Sequence, residues 1–177
     1  MTKNGEFLSL DAQSETILAT LRQIIRAIDL HSKNLAKRYG LTGPQLLVLK
    51  ELYKKNDLTL GQVAKNVSLS QATVTAIVDR LEKWQFVSRV RNPEDKRKVN
   101  IVLSDKATSI LESDPDLLQE EFVLRFEKLE GWEQTQLISS LQRIASMMKA
   151  EGIESPPVLV SGPLAASASE VDDFLDD

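Results

Sequence analysis

At 177 residues and 42% apolar side chains, the chain can bury one sizeable core; it lacks both the composition of a disordered polypeptide and an apolar run long enough to span a bilayer. No cysteine and a single histidine exclude disulfides, thiolate metal sites, a peroxide-sensing thiol and a multi-histidine zinc cluster within one chain. The formal net charge of -4 is unevenly spread: seven acidic and no basic residues follow Lys149, leaving 22 basic against 19 acidic side chains, a net +3, in residues 1–150.

Residues 1–10 are mixed in character and uncapped, which predicts a frayed arm. They also lack the basic-then-apolar pattern of a signal peptide, so a cytoplasmic location is expected. Across residues 11–39, Ile17, Leu21, Ile24, Ile25, Ile28, Leu35 and Tyr39 keep the helical period with no glycine or proline. A helix this long overhangs a small domain, and a second copy of the chain is the simplest cover for its surplus apolar surface. His31 lies in it, either as a pH-sensitive or ligand-contacting imidazole or as an ordinary helix residue.

Gly40-Leu41-Thr42-Gly43-Pro44 ends that helix and starts another, with Thr42 as N-cap and Pro44 in the first turn. Leu46, Leu47, Leu49 and Leu52 then face the core. Asn56-Asp57 reads as a turn and Leu58-Thr59-Leu60 as a short strand. Thr59 also caps a helix with Leu60, Val63, Ala64 and Val67 on one side. After Ser68-Leu69, Ser70 caps a second helix in which Val74, Ile77, Val78 and Leu81 repeat that spacing, leaving Gln71, Thr73, Ala76, Arg80 and Lys83 outward. Such a polar outer face suits a DNA groove.

Two β-branched runs, residues 86–90 and 99–103, flank residues 91–98 as a hairpin with a long basic tip. Lys83, Arg89, Arg91, Lys96, Arg97 and Lys98 outnumber Glu94 and Asp95 there, the electrostatic footprint of phosphate contact. Ser104 caps the next helix. At Glu112-Ser113-Asp114-Pro115 the pattern breaks, with Asp114 as a fresh N-cap and Pro115 in its first turn, so a kink is expected. Leu117, Leu118, Phe122 and Phe126 continue the apolar face, and a last helix over residues 132–149 is expected to bury Leu137, Leu141, Ile144 and Met148. Tyr39, Trp132 and Met147 read either as pocket lining or as core. From Gly152 proline, glycine, alanine and serine take over and the chain ends acidic, which reads as a flexible tail. Its Val171, Phe174 and Leu175 either dock on a partner or a basic surface, or simply solubilise.

The runs L-T-x-x-x-V-A from Leu58, L-S-x-x-T-V-T-x-x-V-D-R-L-E-K from Leu69 and D-x-R-x-V-x-I-x-L-S from Asp95 occur in the order and spacing of the MarR-type transcriptional regulators. The chain resembles that family over residues 17–148. The resemblance implies a symmetric homodimer that binds a palindromic operator in double-stranded DNA and is released by a small-molecule effector or by oxidation, without a cofactor. It places Gln71, Ala72, Thr73 and Ala76 at base edges, Ser70, Thr75 and Arg80 on the backbone, and Lys83, Arg89, Arg91, Lys96 and Lys98 near phosphates. Arg97 becomes the wing arginine of the minor groove, with Asp95 holding its basic neighbours in shape. Gln85 stands where the family has a helix-ending glycine, Ala76 where many members have arginine, and Ala107 where a glycine is frequent. The core together with the acidic end is further similar to the branch controlling compatible-solute genes such as those for ectoine.

The expected fold is therefore mainly α with a small β wing: a winged helix-turn-helix plus N- and C-terminal dimerisation helices. Residues 1–40 form the arm and first dimerisation helix, 41–103 the DNA-binding lobe, 104–150 the closing helices and 151–177 the acidic tail. The expected function is a sequence-specific transcriptional regulator, a repressor rather than an activator. The rival reading is a winged helix used for protein contact. An enzyme is not expected, for want of a cysteine nucleophile, a glycine-rich phosphate loop or metal-ligand spacing.

Overall fold

The computed structural model describes residues 4–55, 58–92, 99–153 and 155–161, with side chains from residue 11 onward. Its elements are α1 (Asn4–Tyr39), α2 (Gly43–Lys54), α3 (Leu60–Asn66), α4 (Gln71–Lys83), β1 (Val87–Arg91), β2 (Val99–Leu103), α5 (Asp105–Glu112), α6 (Leu118–Phe126) and α7 (Gly131–Met147). This is the expected mostly helical chain with a two-stranded antiparallel wing.

The helices start where the sequence supplies caps. The Thr42 N–H donates to Gln45 Oε1, the Gln62 N–H to Thr59 Oγ1, the Thr73 N–H to Ser70 Oγ and the Ala107 N–H to Ser104 Oγ, each pairing an otherwise orphaned group of a first turn. Three helices end in matching left-handed turns, α7 among them with Lys149 at φ 57° and the Ala150 N–H on the Ala145 carbonyl. At the end of α3, Ser68 has φ 56° and the Leu69 N–H reaches back to the Ala64 carbonyl; at the end of α4, Gln85 has φ 60° and the Phe86 N–H reaches Leu81. Gln85 thus adopts the conformation that a glycine takes without strain, at a cost of about 1–2 kcal/mol.

Leu41, Leu46, Val48, Leu49, Val63, Val74, Ile77, Val78 and Leu81 are wholly buried, so the core lies where α2, α3 and α4 meet. The four α4 side chains alone account for about 6–12 kcal/mol of gross burial. β1 pairs with β2 from Val87↔Leu103 to Arg91↔Val99; in place of the short strand expected at residues 58–60 there is a single bridge, Thr59 to Asn100, because Leu60 already begins α3. The wing-tip residues Asp95, Lys96, Arg97 and Lys98 lie outside the described residues.

Four further expectations need correction. The helix of α1 begins at Asn4, not near residue 11: apart from Gly5 nothing in that arm breaks a helix, and extending an existing helix is cheap. The break after α5 is complete rather than a kink. Asp114 takes φ 47° and cannot be an N-cap, Pro115 lacks an N–H, and α6 restarts only after Leu117, whose side chain is 2% exposed in the core. The side chains expected to be buried by the last helix are not covered within one chain: Leu137, Leu141 and Met148 are exposed and Ile144 is half-buried. Finally, residues 157–161, expected to belong to a flexible tail, are docked: Val158 is 2% exposed, and Pro157, Leu159 and Ser161 hydrogen-bond to α6 or α1.

His31, on α1, faces Asp116 just before α6 and Glu121 within it. It hydrogen-bonds the Asp116 backbone, while its Nε2 is buried with no hydrogen-bond partner. Burial dominates and pushes its pKa below the ordinary 6.5, outweighing the opposite pulls of Asp116 and Glu121. As pH falls, the unfolded chain therefore binds the proton first, so stability present above pH 6.5 is lost as pH drops through the lower folded-state pKa. Melting temperatures taken at about pH 7.5 and about pH 5.5 should fall further for the wild type than for His31→Gln. Equal falls would show that His31 is not the sensitive group.

Candidate nucleic-acid interface

The surface built around α4 follows from its burial. With Val74, Ile77, Val78 and Leu81 turned inward, Gln71, Ala72 and Lys83 are exposed, while Thr73, Thr75, Ala76 and Arg80 are half-buried on its flanks. Ser70 caps the helix, so the N-terminal amides and the positive end of the helix dipole face outward, a natural seat for a phosphate. The Ser70 and Thr73 hydroxyls lie 2.8 Å apart, and the Thr75 hydroxyl donates to the Gln71 carbonyl at 2.8 Å. Gln71 and Ala72 are therefore the side chains freest to meet base edges, and Arg80 already has an interaction within the chain.

Arg89 behaves differently from its expected role. On β1, it forms an ion pair with Asp79 at 2.5 Å and another with Glu82, and its N–H donates to Glu82 Oε1 at 3.1 Å. Burial opposes the guanidinium charge, but the two carboxylates outweigh it and hold the Arg89 pKa above its ordinary value. Arg89 is thus a brace that ties the wing to α4, its charge paired with two carboxylates. Sequence reasoning missed Asp79 and Glu82 as its anchors; their i, i+3 spacing on α4 puts them on one edge of the helix. Arg91 is exposed at the end of β1, on the way to the tip.

Tyr39, Trp132 and Met147 do not come together as a pocket. Trp132 and Met147 are 68% and 63% exposed, which excludes them from the core of a single chain as well. An open cavity of about 810 Å³ lies instead between α2 and α6, lined by Lys50, Tyr53, Leu111, Asp116, Gln119 and Leu124 among others. Across it Lys50 pairs with Glu120 at 2.5 Å. Among the described residues no group of histidine, aspartate and glutamate could hold a metal ion, and no helix is long and apolar enough to cross a membrane.

Residues 41–99 match the family model described as the MarR family. An uncharacterised HTH-type transcriptional regulator, YsmB of Bacillus subtilis, is 30% identical over 130 residues, 73% of this chain and 89% of that protein. The chain belongs to the MarR family. It is a DNA-binding, winged-helix transcriptional regulator, and its relatives are regulators rather than enzymes. The HTH-type transcriptional regulator MgrA of Staphylococcus aureus is 34% identical over 80 residues, 45% of this chain and 54% of that protein. Among solved structures, that of the S. aureus MepR–DNA complex superposes with TM-score 0.52 at 21% identity, covering 73% of this chain and 94% of that one, a likeness of fold.

The brace gives a direct test in this MarR-family chain. Arg89→Ala should lower stability by about 1 kcal/mol, about 2–4 °C in Tm, a modest figure because the Glu82 side chain is 38% exposed to screening solvent. The effect should shrink in high salt. An unchanged Tm at low salt would rule the brace out.

Proposed function

We propose that this MarR-family regulator acts as a homodimer that represses transcription by occupying a palindromic operator, one α4 in the major groove of each half-site. The observation that carries the reading is the capped, polar outer face of α4, with exposed Gln71 and Ala72 beside a wing locked at a fixed angle by Arg89. A wing reaching the minor groove through Arg97, with Lys96, Lys98 and Arg91 on flanking phosphates and Asp95 shaping the tip, completes the proposed interface.

The dimer is supported by apolar side chains that one chain leaves uncovered: Ile17, Ile24 and Ile25 on α1, Phe122 and Leu124 on α6, Leu137 and Leu141 on α7. Apolar side chains repeated along three helices mark a surface for protein contact. The cavity beside α6 supports a small-molecule effector. The location that goes with this work is the cytoplasm, and the acidic end, by resemblance, points to compatible-solute genes as the controlled class. Reading the genes beside a footprinted operator decides that last point.

Gln71→Ala separates sequence reading from general attraction. On a palindromic duplex selected from random sequence by the wild-type protein, it should cost about 1–3 kcal/mol, while affinity for scrambled duplex stays nearly level. Equal weakening on both duplexes would mean that α4 does not read bases at that position, and would favour the rival protein-contact module if no duplex were discriminated at all.

A further inference from the structure

We propose that the junction of α1, α2 and α6 is a binding groove for an extended peptide, that its occupant is the chain's own residues 157–161, and that this strap holds the DNA-binding lobe at one angle to the dimerisation helices. The proposal rests on the operator reading for its functional part only.

The contacts are those of a seated peptide rather than a passing loop. The Gln119 carboxamide on α6 grips the strap backbone from both sides: its Nε2 donates to the Pro157 carbonyl at 3.3 Å, and its Oε1 accepts from the Leu159 N–H at 3.1 Å. Two residues on, the Ser161 N–H donates to Ser32 Oγ at 3.3 Å and the Ser161 hydroxyl bonds the Asp29 carboxylate, both on α1. Between these polar anchors Val158 is 2% exposed, as buried as the lobe's own core. Alternate residues thus point into the groove while the backbone pairs with side chains along it, the pattern by which extended segments are recognised. Pro156 and Pro157 stiffen the approach and reduce the entropy lost on docking.

The third wall is α2. A Cβ placed on Gly43 would come within 2.5 Å of Val160 Cγ1 and 3.9 Å of Leu117 Cδ2, so Gly43 is the residue that lets the strap lie against the first turn of α2. The helix itself does not require a glycine there: Thr42 and Pro44 already define the start, and alanine is the better helix former. One strand of chain therefore ties together the long helix, the entry to the DNA-binding lobe and the helix that follows the break at Asp114.

The consequence for regulation follows from geometry. A palindromic site demands both recognition helices at one separation, and a strap across each junction removes hinge freedom that binding would otherwise have to freeze. Release of the strap, by a competing peptide or by modification of Ser161, should therefore weaken operator binding without altering the α4 surface. This differs from the action of a free acidic tail, whose loss would raise affinity for any DNA by removing negative charge.

The test uses the full-length protein with Gly43→Ala, which crowds Val160, and separately Val158→Asp, which places a charge where an apolar side chain is buried. Hydrogen exchange should show the Leu159 and Ser161 amides at least about tenfold faster in both variants than in the wild type, with α2 amides such as Leu49 still protected. Affinity for the selected palindromic duplex should fall by about fivefold or more, with scrambled duplex unaffected. Wild-type Leu159 and Ser161 amides that exchange as freely as those of an unstructured peptide would overturn the docked strap, whatever the DNA result. Variants that free the strap yet bind the palindrome equally well or more tightly would overturn its coupling to the operator. If the wild type selected no duplex, the operator reading would fall instead, and the exchange comparison would still decide the groove.

Discussion

Inward burial of one face of α4 is the constraint on which the remaining structure depends. Because Val74, Ile77, Val78 and Leu81 are wholly buried against α2 and α3, rotation of α4 about its own axis is forbidden, and the outward residues follow. A turn of 100° per residue means that shifting any of those four out of the core would also carry Gln71 and Ala72 off the exposed face. Arg89 extends the same constraint into the sheet. By pairing with Asp79 and Glu82 on the edge of α4, it makes the wing a rigid continuation of the recognition helix rather than a separate flap.

A second constraint is unmet within one chain. About 54 Å of α1 is more helix than the lobe can use, and among its described side chains the buried ones, Ser32, Leu35 and Ala36, lie in its last turns. The apolar faces of α6 and α7 are likewise uncovered, which leaves them open to the proposed dimer. The strap works at the point where these two halves meet, which is why a short peptide with one buried valine can matter to the placement of a whole lobe.

Much of this was legible in the residues. Thr59, Ser70 and Ser104 announced helix starts, and the i, i+3, i+4, i+7 runs fixed which faces were buried. Gln85 was recognised as a non-glycine residue at a glycine position, and it has φ 60°. The misses share one physical cause: local pattern does not say which long-range partner a side chain finds. Arg89 counted as a free cation because its carboxylate partners lie on another element. Asp114-Pro115 resembles a helix start, but Asp114 takes φ 47°, Leu117 enters the core, and α6 starts only after it. The helical period at Leu137 and Leu141 predicts a core that one chain does not contain. Residues 155–161 resembled a linker by composition, and only the groove between α1, α2 and α6 gives Val158 somewhere to go.

The most direct measurement of the account is hydroxyl-radical footprinting of the selected palindromic duplex, combined with the stoichiometry of the complex by sedimentation. Two chains per duplex and two protected patches centred about one helical turn apart, roughly 10 base pairs, are the expected result. A single protected patch with one chain bound would contradict it, since the uncovered faces of α1, α6 and α7 would then have no partner and the two recognition helices no fixed separation.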